Sequence, residues 1–358
     1  MKQWPDGDVL DLEAESLQDS FFERGWTDGL PIEPPTPSRV EAMLASVQEH
    51  GDVVLAEIPE RNAILSVYKA AINAVMAGCR PEYFPVVLAA CRAMGDESFH
   101  VATVISSSGG PAFCVVVSGP IAAEIGMNGK HGISHNALGT GHRPNATIGR
   151  ALRLIAINVL GAQSGVRDGS SFGNPGKFSL TVAEEDPPSP WLPLRQRLGY
   201  GPEESIVLLV PTEGPRSISN HLNGAASGLL RTMLAAVANP STYMVGRGGQ
   251  GVLVIGPEHA AALIREGWTV ERVQDWLVKR SRLTATQLRR AGVVIDEEGE
   301  RRLANAPDHR LATFHRREDL FLLTSGGAGA GWSAYMPSWS DDRIVRSAIR
   351  PINAAGTR

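Results

Sequence analysis

Three histidines within twelve residues form the most conspicuous group of side chains that could do chemistry. His131 and His135 are four residues apart, and His142 follows seven residues later in the segment 128–150. Imidazole nitrogens bind divalent metals, and a histidine titrates near neutral pH. Nearby glycines predict a loop here, so the four-residue spacing does not indicate a helical metal motif. Metal ligation, acid–base catalysis and an exposed loop without chemistry all stay open.

Loops of small residues are the second group. The segments 106–111, 246–251 and 324–331 are rich in glycine, and backbone N–H groups and hydroxyls in such loops bind anions. None carries a Walker A or dinucleotide-binding pattern, so no nucleotide cofactor is expected. The candidate substrate-binding residues in these loops are Ser107, Ser108, Gly109, Ser325, Gly326 and Gly327.

Cations and amides that could face a ligand form the third group. Lys69 lies in an apolar helical segment, as either a catalytic amine or a side chain that extends to solvent. Asn73 is one helical turn further along, and Asn145 follows the histidine loop. Arg150 and Lys177 could bind a carboxylate. We therefore expect a small polar, carboxylate-bearing substrate.

The cysteines and the segment 168–173 have simpler interpretations. Cys79, Cys91 and Cys114 form no C-x-x-C pair and are predicted to be small buried residues. A thiol-dependent reaction at Cys79 is kept as an alternative. The run DGSSFG at 168–173 is interpreted as a turn.

Composition limits the classes of function. The chain has 358 residues, 43% of them hydrophobic and 20% charged, with a formal net charge of −4. This balance is typical of a globular protein and gives no reason to expect nucleic-acid binding. No apolar run reaches the ~20 residues that span a bilayer, and the polar start is unlike a signal peptide. We expect a cytoplasmic protein without a membrane partner, acting on a small molecule as a homo-oligomer.

Hydrophobic patterning predicts an α/β protein of two related halves around a central pocket. The segments 109–126 and 248–264 share a Gly-Gly pair, a hydrophobic strand, Gly-Pro and an alanine-rich helix, which favours an internal duplication. The expected units are an arm and helix at 1–50, a first half at 51–195 and a second half at 196–358. Strands are predicted at 52–59, 100–107 and 112–119, a helix at 63–79 and a loop over 162–191.

Several long motifs resemble a known family. They are WTDGLPIEPPT, AAINAVMAGCRPEYFPVVLAA, RPNATIGRALRLIAIN, GNPGKFSLTVAEE, SPWLPL and VLVIGPEHAAAL. Together they resemble the UGSC-like proteins, which are associated with a (seleno)cysteine redox domain named for its U-G-S-C motif. That motif is absent here, and the loop at 128–142 is richer in histidine than the resemblance implies. The resemblance implies a possible thiol redox partner and gives no activity.

The leading hypothesis is an enzyme that cleaves a small metabolite by hydrolysis or a lyase-type reaction. His131, His135 and His142 supply acid–base chemistry or bind a divalent metal, with Zn, Fe, Mn and Cu not distinguished. Lys69 is a further catalytic candidate, and Arg150 and Lys177 hold negative charge. The alternative is a non-catalytic accessory protein of a thiol redox system.

Overall fold

Two four-stranded sheets packed face to face, with helices on both outer faces, form the architecture of the protein. The computed structural model describes residues 16–132, 142–221, 225–306, 308–329, 331–339 and 345–352. The α/β class expected from the patterning is confirmed.

The strands in chain order are β1 Val54–Ile58, β2 Ala63–Ser66, β3 Ala112–Ser118, β4 Leu180–Ala183, β5 Ile206–Thr212, β6 Arg216–Ser219, β7 Gly251–Ile255, β8 Arg282–Thr284, β9 Arg310–Ala312, β10 Leu320–Thr324, β11 Trp332–Pro337 and β12 Ala348–Pro351. The pairs β1–β2 and β8–β9 are small antiparallel sheets beside the two large ones.

The α-helices in chain order are α1 Leu17–Glu23, α2 Pro37–Ala45, α3 Val67–Met76, α4 Phe84–Met94, α5 Val101–Ser106, α6 Ile121–Glu124, α7 Arg143–Asn158, α8 Leu194–Arg197, α9 Ala226–Val237, α10 Pro257–Arg265, α11 Val270–Arg280, α12 Ala285–Arg290 and α13 Glu297–Asn305. In the parts of the chain that the structure describes, no helix is both long and apolar enough to cross a membrane.

The central strands are apolar on both faces because both faces are covered. In β3, Cys114 and Val116 point toward the second sheet, where Val252 and Val254 of β7 meet them. Val115 of the same strand points outward into the core formed with the helices. Side chains alternate along a strand, so a strand between two apolar layers needs a continuous hydrophobic run.

The two large sheets have the same topology. Their strand orders are β4-β3-β5-β12 and β10-β7-β11-β6, and in each the first pair is parallel and the others are antiparallel. Helices follow the same scheme, since α4 covers β5 and β12 as α9 covers β11 and β6. The segments 109–126 and 248–264, which resemble each other in sequence, occupy equivalent positions at β3 and β7.

The fourth strand of each sheet is contributed by the part of the chain that forms the other sheet. After β5 the chain crosses into the second sheet as β6, and after β11 it crosses into the first sheet as β12. The crossing points meet at a bridge between Thr212 and Ser338, where Glu213 N donates to Pro337 O at 2.9 Å and Trp339 N donates to Pro211 O at 2.8 Å. The expected division after residue 195 therefore does not separate the two sheets, because β5 and β12 both belong to the first.

Three predicted elements are wrong. The segment 100–107 was expected to be a strand and contains α5, because Val101, Val104 and Ile105 are spaced to bury one helical face. Packing here outweighs the β propensity of branched residues. The first four residues of the predicted helix 63–79 form β2, and the predicted loop 162–191 contains β4.

Candidate functional site

Helix α7 positions the polar residues of the first half. Its N-cap is His142, and Pro144 in the first turn suits a helix start, since proline has no N–H to satisfy. At Gly149 the helix approaches β4 so closely that a Cβ atom would clash with Ser179 and Thr181. One turn later, the guanidinium of Arg153 contacts Asp168 in the segment that precedes β4.

Four polar side chains meet at that point, and we call them the Asp168 cluster: Arg153, Asp168, Ser170 and Lys177. Lys177 Nζ donates to Asp168 Oδ1 at 2.8 Å, to Asp168 Oδ2 at 2.7 Å and to Ser170 Oγ at 2.5 Å. Arg153 Nη1 donates to Asp168 Oδ2 at 3.2 Å. Ser170 Oγ donates to Asp168 Oδ1.

A small cavity adjoins the cluster. It encloses about 20 Å³, which is room for about one water molecule. Arg153, Asp168 and Lys177 line its polar side, and Ile105, Phe113 and Ala156 are among the residues of its apolar side. All of its lining residues belong to the first half, so this cavity is not the expected central pocket between the halves, and that pocket stays a prediction.

Burial governs the electrostatics of the cluster. It lowers the pKa of Lys177, although Asp168 acts in the opposite direction. Burial also opposes the ionisation of Asp168, but hydrogen bonds from Lys177 and Ser170 outweigh it and the pKa of this carboxyl lies below its usual value. Arg153 and Lys177 share one carboxylate, so the cluster carries an excess positive charge beside the cavity whenever Lys177 is protonated.

The loop of serines and glycines at 106–111 lies over the cluster. Ser108 O accepts from Ser171 N at 2.9 Å, and Ser107 Oγ accepts from Gly109 N at 3.0 Å. A Cβ atom on Gly110 would lie 3.0 Å from Ser170 Oγ. The predicted residues Ser107, Ser108 and Gly109 are thus brought near Lys177.

The start of the histidine loop lies elsewhere, at the junction of the two sheets. Asn145 holds it, because its side chain accepts from Asn128 N at 2.8 Å and donates to Asn128 O at 3.0 Å. Ser325 Oγ and Gly326 N both donate to Gly129 O, at 3.0 and 2.7 Å.

The ring of His131 is exposed and lies against Gly327, where a Cβ atom would clash with it. The second-half loop at 324–331 and the histidine loop therefore meet as one group, separate from the Asp168 cluster.

The three-histidine site stays a prediction. His135 lies outside the described residues, and Nδ1 of His142 is buried without a hydrogen-bond partner among those described. Within the described ranges, no three His, Cys, Asp or Glu side chains are close enough together to hold a metal ion.

Three other predicted site residues have structural contacts instead. Lys69 Nζ donates to Ile64 O at 3.0 Å near the protein surface. Asn73 is buried, donates to Lys69 O at 2.9 Å and accepts from Asn158 Nδ2 at 2.8 Å. Neither residue lines the cavity.

Arg150 is also engaged away from the cavity. Its Nε and Nη2 donate to both carboxylate oxygens of Asp28, at 2.9 and 2.8 Å, and Nη2 also donates to Pro31 O at 2.8 Å. This pair fixes the arm that precedes α2, and Arg150 does not line the cavity.

The cysteines are buried, as expected. Burial raises the pKa of Cys79 to about 12, and it raises the pKa of Cys91 and Cys114 to about 12 as well. A thiolate is the nucleophilic form, so Cys79 is unsuited to attack a substrate at neutral pH.

Comparison of the sequence with models of known protein families and with curated proteins gives no match. The resemblance to UGSC-like proteins stays a prediction.

Sequence reasoning identified Lys177 and missed its partners. Asp168 and Ser170 were interpreted as a turn, which they do form, since Ser170 N donates to Asp168 Oδ1 at 3.2 Å. The available signal was an arginine one turn after Gly149 in an otherwise apolar stretch of α7. A carboxylate in a nearby Gly-rich loop is a natural partner for such a buried cation.

Proposed function

We propose that this protein is an enzyme that cleaves a small carboxylate-bearing metabolite by hydrolysis or a lyase-type reaction at the Asp168 cluster. The observation that carries the proposal is the pair of cations, Arg153 and Lys177, that share one carboxylate beside a cavity. Buried ion pairs usually balance their charges, and an unbalanced pair is costly unless an anion completes it.

Arg153 is the group that binds the substrate carboxylate. One of its nitrogens contacts Asp168, and no second partner of the guanidinium is found in the described part of the chain. An arginine offers five N–H donors in a planar arrangement that matches a carboxylate. Because Arg153 lines the cavity, its remaining donors are available to a bound carboxylate group. The rest of the substrate lies outside the cavity, which has room for about one water molecule.

Lys177 is the acid–base group. Burial favours its neutral form, and Asp168 fixes its Nζ in place. A catalytic amine works best when its pKa approaches the working pH, so the lowered pKa suits proton transfer. The histidine loop is a second location for acid–base or metal chemistry in this proposal, supported by the contact of His131 with the Gly-rich turn at 325–327.

A screen with matched lysine variants tests the proposal. The purified full chain is incubated with a panel of small carboxylates that carry an ester, an amide or a bond open to elimination, and cleavage is followed by proton NMR. We expect at least one compound to be cleaved, and Lys177→Met to lower kcat/KM by about a hundredfold or more.

Two other variants sharpen the outcome. Arg153→Met is expected to raise KM by about ten- to a hundredfold, since a charged hydrogen bond contributes roughly 1.5–3 kcal/mol. Lys69→Met, at a lysine near the surface, is expected to retain the activity of the unmodified protein. No cleavage of any compound, or an equal loss in Lys69→Met and Lys177→Met, contradicts the proposal.

We also infer that the two halves arose by duplication. The shared strand order, the equivalent helices over each sheet and the sequence likeness of 109–126 to 248–264 support this inference. The Asp168 cluster lies in the first half, so the chemistry is assigned to one half of the pair.

A further inference from the structure

We propose that Ser170 is the nucleophile of this site and that the reaction is hydrolysis of an ester or amide through an acyl-serine. This inference rests on the proposed function, because it assigns a role to a residue of the same Asp168 cluster, which adjoins the cavity. It narrows the reaction class to hydrolysis and excludes the lyase-type alternative.

The contacts of the Ser170 hydroxyl support this role. Its Oγ accepts from Lys177 Nζ at 2.5 Å and donates to Asp168 Oδ1. A serine hydroxyl is a weak nucleophile until an adjacent base takes its proton, and a buried lysine amine is one of the groups that do so. Asp168 orients that amine through both of its carboxylate oxygens.

The partial exposure of Ser170 supports it independently. Ser170 is half-buried, whereas Asp168 beneath it is 4% exposed. Gly110 lies directly against the hydroxyl, and a Cβ atom there would also clash with the backbone of Gly173. Gly110 and Gly173 therefore pack closely on one side of Ser170 Oγ, a contact that any larger residue at position 110 would disrupt.

The step balances with the groups present and water. Ser170 Oγ bonds to the carbonyl carbon of the substrate, and its proton passes to the neutral amine of Lys177. The C–O or C–N bond then breaks, and the leaving alcohol or amine takes that proton. Water attacks the acyl-serine and gives a proton to Lys177, which returns it to Ser170 Oγ as the carboxylic acid departs.

A fluorophosphonate probe tests this assignment without knowledge of the substrate. Such a probe bonds to an activated serine oxygen with loss of fluoride. The full chain is labelled, digested and mapped by mass spectrometry. We expect an adduct on Ser170, abolished in Ser170→Ala, retained in the neighbouring exposed Ser171→Ala and slowed about tenfold or more in Lys177→Met.

The pH dependence of the labelling rate distinguishes a serine that Lys177 activates from a serine that the probe merely reaches. The labelling rate is expected to rise with pH as Lys177 loses its proton, and this rise should disappear in Lys177→Met. Absence of an adduct, an adduct that persists in Ser170→Ala, or a rate independent of Lys177 overturns the assignment.

A thiol in place of the serine gives a second measure of the same position. In Ser170→Cys the Lys177 ammonium should lower the pKa of the new thiol, so iodoacetamide should alkylate it faster than the thiol of Ser171→Cys. The native cysteines give little background, because burial raises the pKa of each to about 12. Equal rates at the two positions contradict the assignment.

The two proposals fail in different ways. Labelling of Ser170 without cleavage of any small carboxylate supports the nucleophile and contradicts the proposed substrate. Cleavage that survives in Ser170→Ala supports the proposed function and contradicts the acyl-serine. Circular dichroism and urea unfolding of each variant show whether it is folded before either result is interpreted.

Discussion

A single buried carboxyl joins three segments at the end of β4. Glu184 accepts from Leu194 N with both oxygens, at 2.9 Å each, and from Ser118 Oγ at the end of β3. Burial raises the pKa of Glu184 to about 7, against a usual value near 4.5. The folded protein therefore retains a proton that the unfolded chain releases.

Replacing this carboxyl should remove a pH dependence of stability. Between about pH 4.5 and 7 unfolding releases a proton, so the free energy of unfolding falls as pH rises, by up to about 3 kcal/mol at about 1.4 kcal/mol for each pH unit. Glu184→Gln should lack this fall and be the more stable protein above pH 7. Urea unfolding at several pH values measures it.

The exposed carboxylate of Glu57 offers the control for this experiment. Glu57→Gln is expected to keep the pH slope of the unmodified protein. If Glu184→Gln shows that slope too, another group is responsible for it.

Arg150 provides a second test at the level of one residue. Its side chain is 15% exposed and that of Asp28 only 2%, so Arg150→Met leaves a buried carboxylate without its cation. We expect a loss of about 3–5 kcal/mol in the free energy of unfolding. Arg143→Met removes a bond from an exposed arginine to Gly78 O and should cost less than about 1 kcal/mol. Similar losses in both variants would contradict this account of the arm.

At the scale of elements, the hydrophobic pattern of the sequence predicts the long elements and misses the short ones. Strand β3 is long and strongly patterned, and the strand predicted at 112–119 is confirmed. Strand β4 has four residues and follows a Gly- and Pro-rich loop, so no alternation was available to reveal it. The Asp168 cluster could not be predicted for a related reason: the sequence does not show that β4 and α7 lie side by side.

The contact between those two elements is itself testable. Alanine normally favours a helix by about 1 kcal/mol over glycine, so Gly149→Ala in α7 should stabilise the protein if propensity decides. The added methyl group would instead clash with Ser179 and Thr181, and we expect a net loss of about 1–2 kcal/mol in urea unfolding.

Gly329→Ala is the matched change for this test. A methyl group there meets nothing within 4 Å, so its effect is expected to stay within about 0.5 kcal/mol. A stabilised Gly149→Ala would show that α7 can move away from β4.

At the scale of the whole molecule, the exchanged strands should make folding cooperative. Strand β12 lies at the end of the chain and pairs with β5 in the first sheet, while β6 pairs with β11 in the second. The first sheet is complete only when β12 joins it, and the second sheet is complete only when β6 joins it. We expect one unfolding transition by calorimetry, with equal calorimetric and van't Hoff enthalpies.

Truncation tests whether the first half depends on β12. Removing residues 345–358 deletes β12 and should destabilise the first half, so Ser170 labelling should fall although the deleted strand is remote in sequence. Two separate transitions in the full chain would show that the halves fold independently. Undiminished labelling after truncation would show that the first sheet does not depend on β12.

The bridge between Thr212 and Ser338 also describes how such a chain could be assembled from smaller units. A polypeptide of one half alone would hold three strands of its own sheet and a fourth strand with no sheet to join. Two such polypeptides would complete each other by exchanging that strand, and folding and pairing would be a single event. Covalent joining of two such polypeptides would give the strand order of the present chain, with the Thr212–Ser338 bridge where the two exchanged strands cross.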